Sequence, residues 1–321
     1  MGTVVTSTAE LPGQTRYAVA FGVFDGLHLG HQAVIRNLLE LAADTGARPA
    51  VMFFAPFPRN VLFPERPVPA LQDETEKAEM LFRLGVDTVI RAPFTRELAR
   101  LSPEAFLEQH FLNPLIRPAF TAFCVGDDWR FGHQNSGDAA LLKRLGEAAG
   151  LKVRIVAPVW HDGRPISSTR IREALIAGDL PTATAMLGRP PAITGPVASG
   201  LGLAGNRLDC PTANIRPANG LALPPNGVYA TRAFLPFGEA CPAIAYLGDA
   251  PTIRPEDGRI LLEVHLLDQD RDLRGLSLTV QLLAFLRPSL KFDSPDALAE
   301  QIRRDIRDCR RLCPDPASRT P

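Results

Sequence analysis

The amino-acid sequence predicts an α/β domain with a doubly wound parallel sheet over residues 1–187, followed by a β-barrel domain closed by a terminal helix over residues 188–321. Three observations lead to this prediction. The chain has 321 residues, and at about 150 residues per domain this length favours two domains. Between residues 17 and 185, short apolar segments alternate with helical patterns, as in parallel sheets covered by helices on both faces. After residue 187, Gly and Pro become frequent and short strand-like segments follow.

The first domain is predicted to contain five strands and four helices. The strand segments are short, apolar and rich in Val, Phe and Ile, and they span residues 17–24, 50–54, 86–90, 120–125 and 152–157. The helical segments between them span residues 29–44, 75–84, 103–111 and 136–149. Ser102 and Pro103 have the residue types that favour the N-cap and the first position of a helix.

The second domain is predicted from segments suited to antiparallel strands. These segments span residues 227–234, 243–247, 259–267 and 277–285. An amphipathic helix is predicted over residues 295–312, because Asp293 and Ser294 supply a natural N-cap before it. Strands followed by one closing helix indicate a small barrel that is capped by this helix.

The charge balance and the hydropathy pattern argue against several classes of protein. Lys and Arg number 35 and Asp and Glu number 35, so the formal net charge is 0, which argues against nucleic acid or an anionic membrane as the main partner. No apolar segment is long enough to span a membrane, and the N-terminus lacks the features of a secretory signal. The five cysteines are too few and too scattered for a disulfide framework or a zinc site. We therefore expect a cytoplasmic protein.

The strongest local motif is FGVFDGLHLGH, over residues 21–31, where a strand ends and a helix begins. His28 and His31 are three residues apart, so their imidazoles point to the same side of the helix start. The unpaired N–H groups of a helix N-terminus attract anions. Gly30 lets a bulky charged ligand lie against the backbone. This pattern favours an anion-binding site over the alternative of two histidines on a helix surface.

This segment resembles the HxGH motif of the nucleotidylyltransferase superfamily, in its longer form GxFDGxHxGH. The second motif of that superfamily is similar to ISSTRIR, over residues 166–172. Small hydroxyls and an Arg at a helix start can hold a triphosphate through charge-assisted hydrogen bonds. Taken alone, ISSTRIR fits a helix N-cap with a solvated Arg equally well. Together with the first motif, it favours phosphate binding.

Two further segments, VGDDWRFG at 125–132 and PFTRELARLSPEAF at 93–106, are similar to the bacterial FAD synthetase branch of that superfamily. The resemblance implies adenylylation of FMN by ATP, with His28 and His31 at the α-phosphate and Arg172 at the β- and γ-phosphates. Such a transfer needs positioning and charge neutralisation more than a protein nucleophile. The other residues implied in nucleotide binding are Gly22, Phe24, Asp25, Gly26, Gly30, Asp128, Arg130, Ser167, Ser168 and Thr169.

The C-terminal part of the chain resembles the riboflavin kinase module. The segments that carry this resemblance are CPTAN at 210–214, NGVYA at 226–230, EVHLLD at 263–268, LRG at 273–275 and RPSLKF at 287–292. With the HxGH domain first, the two modules together resemble the bacterial bifunctional riboflavin kinase/FAD synthetase family over residues 16–312. This resemblance implies a six-stranded barrel and the small-molecule ligands riboflavin, ATP, FMN and FAD. The resemblance leaves open whether the chain associates weakly with itself.

The resemblance also implies roles for residues of the second module. Thr212 and Asn214 would coordinate the Mg²⁺ that accompanies ATP, as an oxygen ligand set suited to this hard cation. Glu263 would take the proton of the riboflavin 5′-hydroxyl, and Gly205 would contact the nucleotide. His265 shares a strand face with Glu263, and we expect a structural role for it. Taken singly, PTAN also fits a turn, and Glu263 fits a strand residue that faces solvent.

Departures from the family pattern are concentrated in the second module. Asn206 and Asp209 stand where the pattern GRxLGFPTAN has Arg and Gly. Tyr246 and Ala250 stand where the pattern NIGxRPT has Asn and Arg. Because lost cations weaken the binding of a triphosphate, we expect an active but slow kinase.

Three hypotheses follow for the function. The favoured one is a two-step enzyme that makes FMN from riboflavin and then FAD from FMN. The second keeps only FMN adenylylation, with a degenerate barrel that binds flavin. The third is a flavin sensor or storage protein without enzymatic activity. In the first module, Ala55 and Phe57 replace a polar pair of the family, and we interpret them as aromatic packing in place of a tolerated contact.

Overall fold

The computed structural model describes residues 2–113, 119–198, 213–236, 238–249, 260–267, 269 and 273–313. The strands are β1 (Thr3–Val5), β2 (Arg16–Phe21), β3 (Arg48–Ala55), β4 (Thr88–Pro93), β5 (Ala119–Gly126), β6 (Arg130–Phe131), β7 (Gly137–Asp138), β8 (Lys152–Val156), β9 (Trp160–His161), β10 (Arg164–Pro165), β11 (Ala192–Ala198), β12 (Ala213–Ile215), β13 (Gly227–Phe234), β14 (Ala240–Asp249), β15 (Ile260–Leu266) and β16 (Ser277–Arg287). The helices are α1 (Leu29–Thr45), α2 (Pro58–Leu62), α3 (Glu74–Arg83), α4 (Pro103–Leu107), α5 (Ala139–Ala148), α6 (Ser168–Ile176), α7 (Leu180–Leu187) and α8 (Pro295–Leu312).

The chain forms two compact units. The first unit comprises Met1–Ala70 and Glu74–Ser168, and the second comprises Leu71–Asp73 and Thr169–Pro321. The first unit contains a parallel sheet, and the second contains a closed barrel. No helix in the described ranges is long and apolar enough to cross a membrane.

The sheet of the first unit has six strands in the order β1-β4-β3-β2-β5-β8, and every neighbouring pair is parallel. From β2 the chain proceeds to β3 and β4 on one side, whereas from β5 it proceeds to β8 on the other side. The carboxyl ends of β2 and β5 therefore meet at a topological switch point, where sheets of this class bind their ligands.

Helices cover both faces of this sheet, because alternate residues of each strand point to opposite sides. On one face, Val51 and Phe53 pack with side chains of α1 and α3. On the other face, Val19, Phe21 and Phe123 pack with side chains of α4 and α5. The doubly wound α/β prediction is therefore confirmed. The predicted helix 103–111 begins at Pro103 as expected, but it changes to a π-helical turn over Glu108–Leu112.

The second unit contains a closed barrel of six antiparallel strands in the order β11-β12-β15-β14-β13-β16. Its interior is filled by alternate residues, such as Leu262, Val264 and Leu266 of β15. The terminal helix α8 packs on the outside of the barrel through Cys309 and through Cys313, which directly follows the helix. The predicted barrel with its terminal helix is therefore confirmed. The N-cap of α8 is Ser294, and its Oγ accepts a hydrogen bond from the Ala297 N–H. Ser294 belongs to the pair of residues that was predicted to cap this helix.

Candidate functional site

The first candidate site is the turn Gly22–His28, which connects β2 to α1 at the switch point of the sheet. Phe24, Gly26 and Leu27 have φ angles of 52°, 82° and 42°. Such angles are unfavourable for Phe and Leu, and they persist only where the surroundings impose them. Both side chains are fully buried in the core formed with α1 and α3, which imposes this shape on the turn.

His28 and His31 form one compact pair at the start of α1. His28 is the N-cap, and its Nδ1 accepts a hydrogen bond from the His31 N–H at 3.3 Å. The two rings stack with 3.6 Å between their centroids and 18° between their planes. A Cβ at Gly30 would lie 3.1 Å from the His28 ring, so glycine makes room for this ring against the backbone. Because Nδ1 of His28 accepts this hydrogen bond, its Nε2 carries the proton and is a donor.

His31 is held in its neutral form by its surroundings. Burial lowers its pKa well below the ordinary value, and the neighbouring His28 and Lys77 lower it further. Its Nδ1 is buried and has no hydrogen-bond partner among the described residues. The Phe24 ring lies 5.2 Å from the His31 ring, measured between centroids. A buried ring nitrogen without a partner is unusual and points to a ligand-binding position.

The second motif reaches this turn through the side chain of Ser168. The Oγ of Ser168 donates to the backbone carbonyl of Asp25 at 2.8 Å, and the Asp25 side chain is buried. Ser168 is the first residue of α6. Thr169 and Arg172 follow on the same helix and belong to the second compact unit. Within the first unit, the structure therefore brings Ser168 to the turn before the histidine pair.

Asp128 and Arg130 follow β5, which lies next to β2 in the sheet. Asp128 is exposed. Nη1 of Arg130 lies 3.3 Å from Oδ2 of Asp138, and this ion pair is half-exposed. Asp138 also caps α5, because its Oδ1 accepts a hydrogen bond from the Leu141 N–H at 2.8 Å. The structure thus gives Arg130 a partner within the protein, a contact that the sequence analysis did not foresee.

Lys77 is a further residue near the first site that the sequence analysis missed. Its Nζ donates to the backbone carbonyl of Val23 at 3.2 Å and lies 4.4 Å from the centroid of the Phe53 ring. The side chain is 7% exposed. Lys77 and Leu81 are four residues apart on the buried face of α3, but α3 contains several other charged residues, and no local pattern distinguishes Lys77 from them.

The second candidate site lies on the outer face of the barrel. Asn214 of β12 and Glu263 of β15 are direct cross-strand partners. Their neighbours Ala213 and Val264 point into the barrel core, so Asn214 and Glu263 point outward. The Oδ1 of Asn214 is buried and has no hydrogen-bond partner among the described residues. Burial raises the pKa of Glu263.

An unpaired amide oxygen beside a carboxyl group is a set of hard oxygen donors, which fits Mg²⁺. No group of three or more His, Cys, Asp or Glu side chains that could hold a metal ion occurs in the described part of the chain. The amide oxygen of Asn214 and the carboxyl group of Glu263 are donors of the kind that a hard cation prefers.

Tyr246 lies on the other side of Glu263, as its cross-strand partner on β14. Its hydroxyl donates to Oγ of Ser289 at 3.4 Å. A Cβ at Gly248 would lie 2.6 Å from this hydroxyl, so the Tyr246 ring extends over a glycine. A residue that departs from the family pattern is thus a direct neighbour of Glu263. His265 follows on the same strand face and is partly buried.

Several residues of the sequence analysis lie outside the described residues. They are Gly205, Asn206, Asp209, Thr212 and Ala250.

Two family models match this chain. The model described as FAD synthetase matches residues 11–170, and the model described as riboflavin kinase matches residues 187–313. A bifunctional riboflavin kinase/FMN adenylyltransferase of Haemophilus influenzae is 36% identical over 290 residues, which are 90% of this chain and 92% of that protein. The protein of the same name from Escherichia coli K12 is 36% identical over 288 residues, which are 89% of this chain and 90% of that protein.

A solved structure from Streptococcus pneumoniae, described as a macrolide-efflux protein, is also similar. Its TM-score is 0.83 and its sequence identity is 27%, and the match covers 98% of this chain and 100% of that one. The curated relatives match nearly the whole chain at more than 30% identity, and both family models match with the order expected from the motifs. This chain belongs to the family of bifunctional riboflavin kinase/FMN adenylyltransferases.

Proposed function

We propose that this chain phosphorylates riboflavin to FMN with ATP, and then adenylylates FMN with ATP to give FAD and pyrophosphate. One observation carries the proposal: two separate constellations, His28 with His31 and Asn214 with Glu263, each lie in the part of the chain that the corresponding family model matches. The riboflavin kinase match over residues 187–313 supports both activities over the alternative of adenylylation alone.

In the adenylyl transfer, an oxygen of the FMN phosphate attacks the α-phosphorus of ATP, and the bond from that phosphorus to the pyrophosphate oxygen breaks. The FMN phosphate is already ionised, so the attack needs no protein base. His28 donates the N–H of its Nε2 to an oxygen of the α-phosphate, since its Nδ1 is occupied by the His31 N–H. This donor and the N-terminus of α1 stabilise the charge that develops in the transition state.

The β- and γ-phosphates are assigned to Ser168, Thr169 and Arg172, whose hydroxyls and guanidinium can form charge-assisted hydrogen bonds. The hydrogen bond from Ser168 to the Asp25 carbonyl supports a position of Ser168 beside the turn. This bond uses the single O–H of Ser168, so the hydroxyl has to rotate away from the carbonyl to donate to a phosphate. The remaining residues assigned to nucleotide or flavin binding in this domain are Gly22, Phe24, Asp25, Gly26, Gly30, Asp128, Arg130 and Ser167.

In the kinase reaction, the 5′-hydroxyl oxygen of riboflavin attacks the γ-phosphorus of ATP and ADP leaves. Glu263 takes the proton of that hydroxyl. Burial raises the pKa of Glu263, and a less acidic carboxyl is a stronger base. Asn214, together with Thr212, would hold Mg²⁺, which neutralises the charge of the triphosphate when bound. Gly205 is assigned to the nucleotide.

The domain boundary near residue 188 belongs to the same proposal. The riboflavin kinase match begins at residue 187, which supports it. A cytoplasmic location and the absence of nucleic-acid and membrane partners stay predictions, as does weak self-association.

Product analysis by chromatography tests the proposal. The purified chain is incubated with ATP and Mg²⁺, once with riboflavin and once with FMN. Formation of FMN and FAD from riboflavin is expected. FAD formation only when FMN is supplied would replace the proposal with adenylylation alone, and no product in either mixture would favour a protein that only binds flavin.

A further inference from the structure

Lys77 is a buried cation close to the turn of the HxGH motif. It belongs to α3, and its side chain is 7% exposed. Its Nζ donates to the Val23 carbonyl at 3.2 Å, and it lies over the face of the Phe53 ring at 4.4 Å. Burial of an ammonium group is unfavourable unless nearby groups replace its water. A position of this kind needs an explanation beyond packing.

The Val23 carbonyl belongs to a peptide whose orientation is part of the shape of the turn, and Lys77 acts on it in addition to the burial of Phe24 and Leu27. This carbonyl is part of the peptide group between Val23 and Phe24. The φ angle of Phe24 measures how this peptide group is rotated about the N–Cα bond of Phe24. This φ angle is 52°, in the left-handed region that residues other than glycine rarely adopt. The hydrogen bond from Lys77 therefore holds the peptide in an orientation that Phe24 would not choose by itself.

Phe24 connects this peptide to the histidine pair. A Cβ at Gly22 would lie 3.0 Å from the Phe24 ring, so this ring folds back over the start of the turn. The centroid of the same ring lies 5.2 Å from that of His31, whose ring stacks on His28. Contacts thus run without a gap from Lys77 through Val23 and Phe24 to the two imidazoles.

We infer that Lys77 is a positioning residue of the adenylyl-transfer site: its ammonium holds the Val23 carbonyl, and thereby Phe24 and the stacked pair of His28 and His31, in the arrangement that receives the α-phosphate. This inference rests on the proposed function. Lys77 acts through these residues, because its Nζ is bound to a protein carbonyl and its side chain is buried.

The charge of Lys77 also acts on His31. The pKa of His31 is lowered first by burial, then by His28 on the same helix end, and then by Lys77 on α3. Asp25 is a further buried charged residue of the turn. When Lys77 loses its charge, the pKa of His31 rises, so protonation of His31 sets in at a higher pH. The acid side of the pH profile of FAD formation then moves to higher pH.

Three variants of the full chain test this inference. Lys77→Met keeps an unbranched stem over Phe53 and removes both the charge and the hydrogen bond. Lys77→Gln removes the charge but keeps an N–H donor, and Lys77→Arg keeps both. We expect FAD formation from FMN to fall by up to about 100-fold in Lys77→Met, because small displacements of catalytic groups have such effects. Lys77→Arg should restore most of the rate.

Two readouts separate a positioning role from a general loss of structure. Formation of FMN from riboflavin by the same samples should be unchanged. NMR titration of the His31 ring should show a higher pKa in Lys77→Met and Lys77→Gln than in the unaltered chain. A Lys77→Met chain with an unaltered rate, pH profile and His31 titration would overturn the inference. If the unaltered chain forms no FAD, the proposed function fails, whereas the His31 titration still decides about Lys77.

Discussion

Arg287 and Asp305 form a buried ion pair that joins the last strand of the barrel to the terminal helix. Nη2 and Nε of Arg287 lie 2.8 Å and 3.0 Å from Oδ2 of Asp305. Gln301 donates a further hydrogen bond to Oδ1 of Asp305 at 2.9 Å. The side chains of Arg287 and Asp305 are only 15% and 6% exposed. In this structure the Arg of the RPSLKF segment therefore anchors α8 to β16.

Replacement of Asp305 should strongly destabilise the barrel. Asp305→Ala leaves the Arg287 guanidinium buried without its carboxylate, which costs about 3–5 kcal/mol of the free energy of unfolding. Urea unfolding followed by far-UV circular dichroism measures this loss. Asp308→Ala is the matched control, because Asp308 lies on the same helix and pairs with Arg311 at the surface, where a pair contributes about 1 kcal/mol or less. Equal losses in both variants would contradict the anchoring role.

Replacement of the histidine pair should stop FAD synthesis and spare the kinase. His28→Ala removes both the N-cap acceptor and the Nε2 donor, and His31→Ala removes the ring stacked on it. Loss of one preorganised donor to a transition state lowers the rate by about 10²–10³-fold. The measurement is FAD formation from FMN, with FMN formation from riboflavin as the internal control. Unchanged FAD formation in both variants would show that the HxGH assignment is wrong.

The elements with a clear period could be predicted from the sequence, and the short ones could not. All five predicted strands of the first domain and all four predicted helices have counterparts in the structure. The edge strand β1 has only three residues, too few for an alternating pattern. Helix α7 has the usual cap, since Oδ1 of Asp179 accepts from the Thr182 N–H at 3.0 Å. It is apolar almost throughout, so it shows no helical period.

The residues of the candidate sites also differ in whether a local sequence pattern reveals them. His28 and His31 could be found because the strand end, the glycines and the helix start are contiguous in the sequence. Lys77 could not be found from the sequence, because the carbonyl that it binds is 54 residues away and α3 contains many other charged residues. The ion pairs of Arg130 and Arg287 could not be found from the sequence either, because packing rather than a local pattern determines their partners.

Glu263→Gln should separate the two reactions. The amide keeps the shape of the side chain but cannot accept the proton of the riboflavin hydroxyl, so FMN formation should fall by about 10²–10⁴-fold. FAD formation from added FMN should be unchanged. His265→Gln is the matched control on the same strand face, and FMN formation should change little in it. Equal loss of both reactions in Glu263→Gln would indicate a misfolded variant or coupled sites.

The cysteines should be unreactive in the folded chain. Cys124, Cys241, Cys309 and Cys313 are buried. Burial raises the pKa of Cys124 to about 12 and that of Cys309 to about 11, so neither forms a reactive thiolate at neutral pH. Of the five cysteines, an aromatic disulfide reagent should quickly modify at most one in the native chain and all five after unfolding. Two or more fast equivalents would contradict the buried packing of β5, β14 or α8.

His31 should make the stability of the first unit depend on pH. Its pKa is lowered in the folded chain by burial, then by His28 and Lys77, whereas in the unfolded chain it is near the ordinary 6.5. Below pH 6.5, the unfolded chain therefore binds a proton that the folded chain does not. The free energy of unfolding falls as the pH falls below this value, by at most about 1.4 kcal/mol per pH unit from this group.

Tryptophan fluorescence isolates this effect, because Trp129 and Trp160, the two tryptophans of the chain, both belong to the first unit. Urea unfolding is compared between about pH 8 and about pH 5 for the unaltered chain and for His31→Gln, which has no imidazole to protonate. The unaltered chain should lose more stability over this range than His31→Gln. His133→Gln controls for the loss of an exposed histidine and should behave like the unaltered chain. If His31→Gln and the unaltered chain lose the same free energy of unfolding, His31 takes up its proton equally in the folded and the unfolded chain. That outcome would contradict the interpretation that His31 is a neutral imidazole stacked on His28.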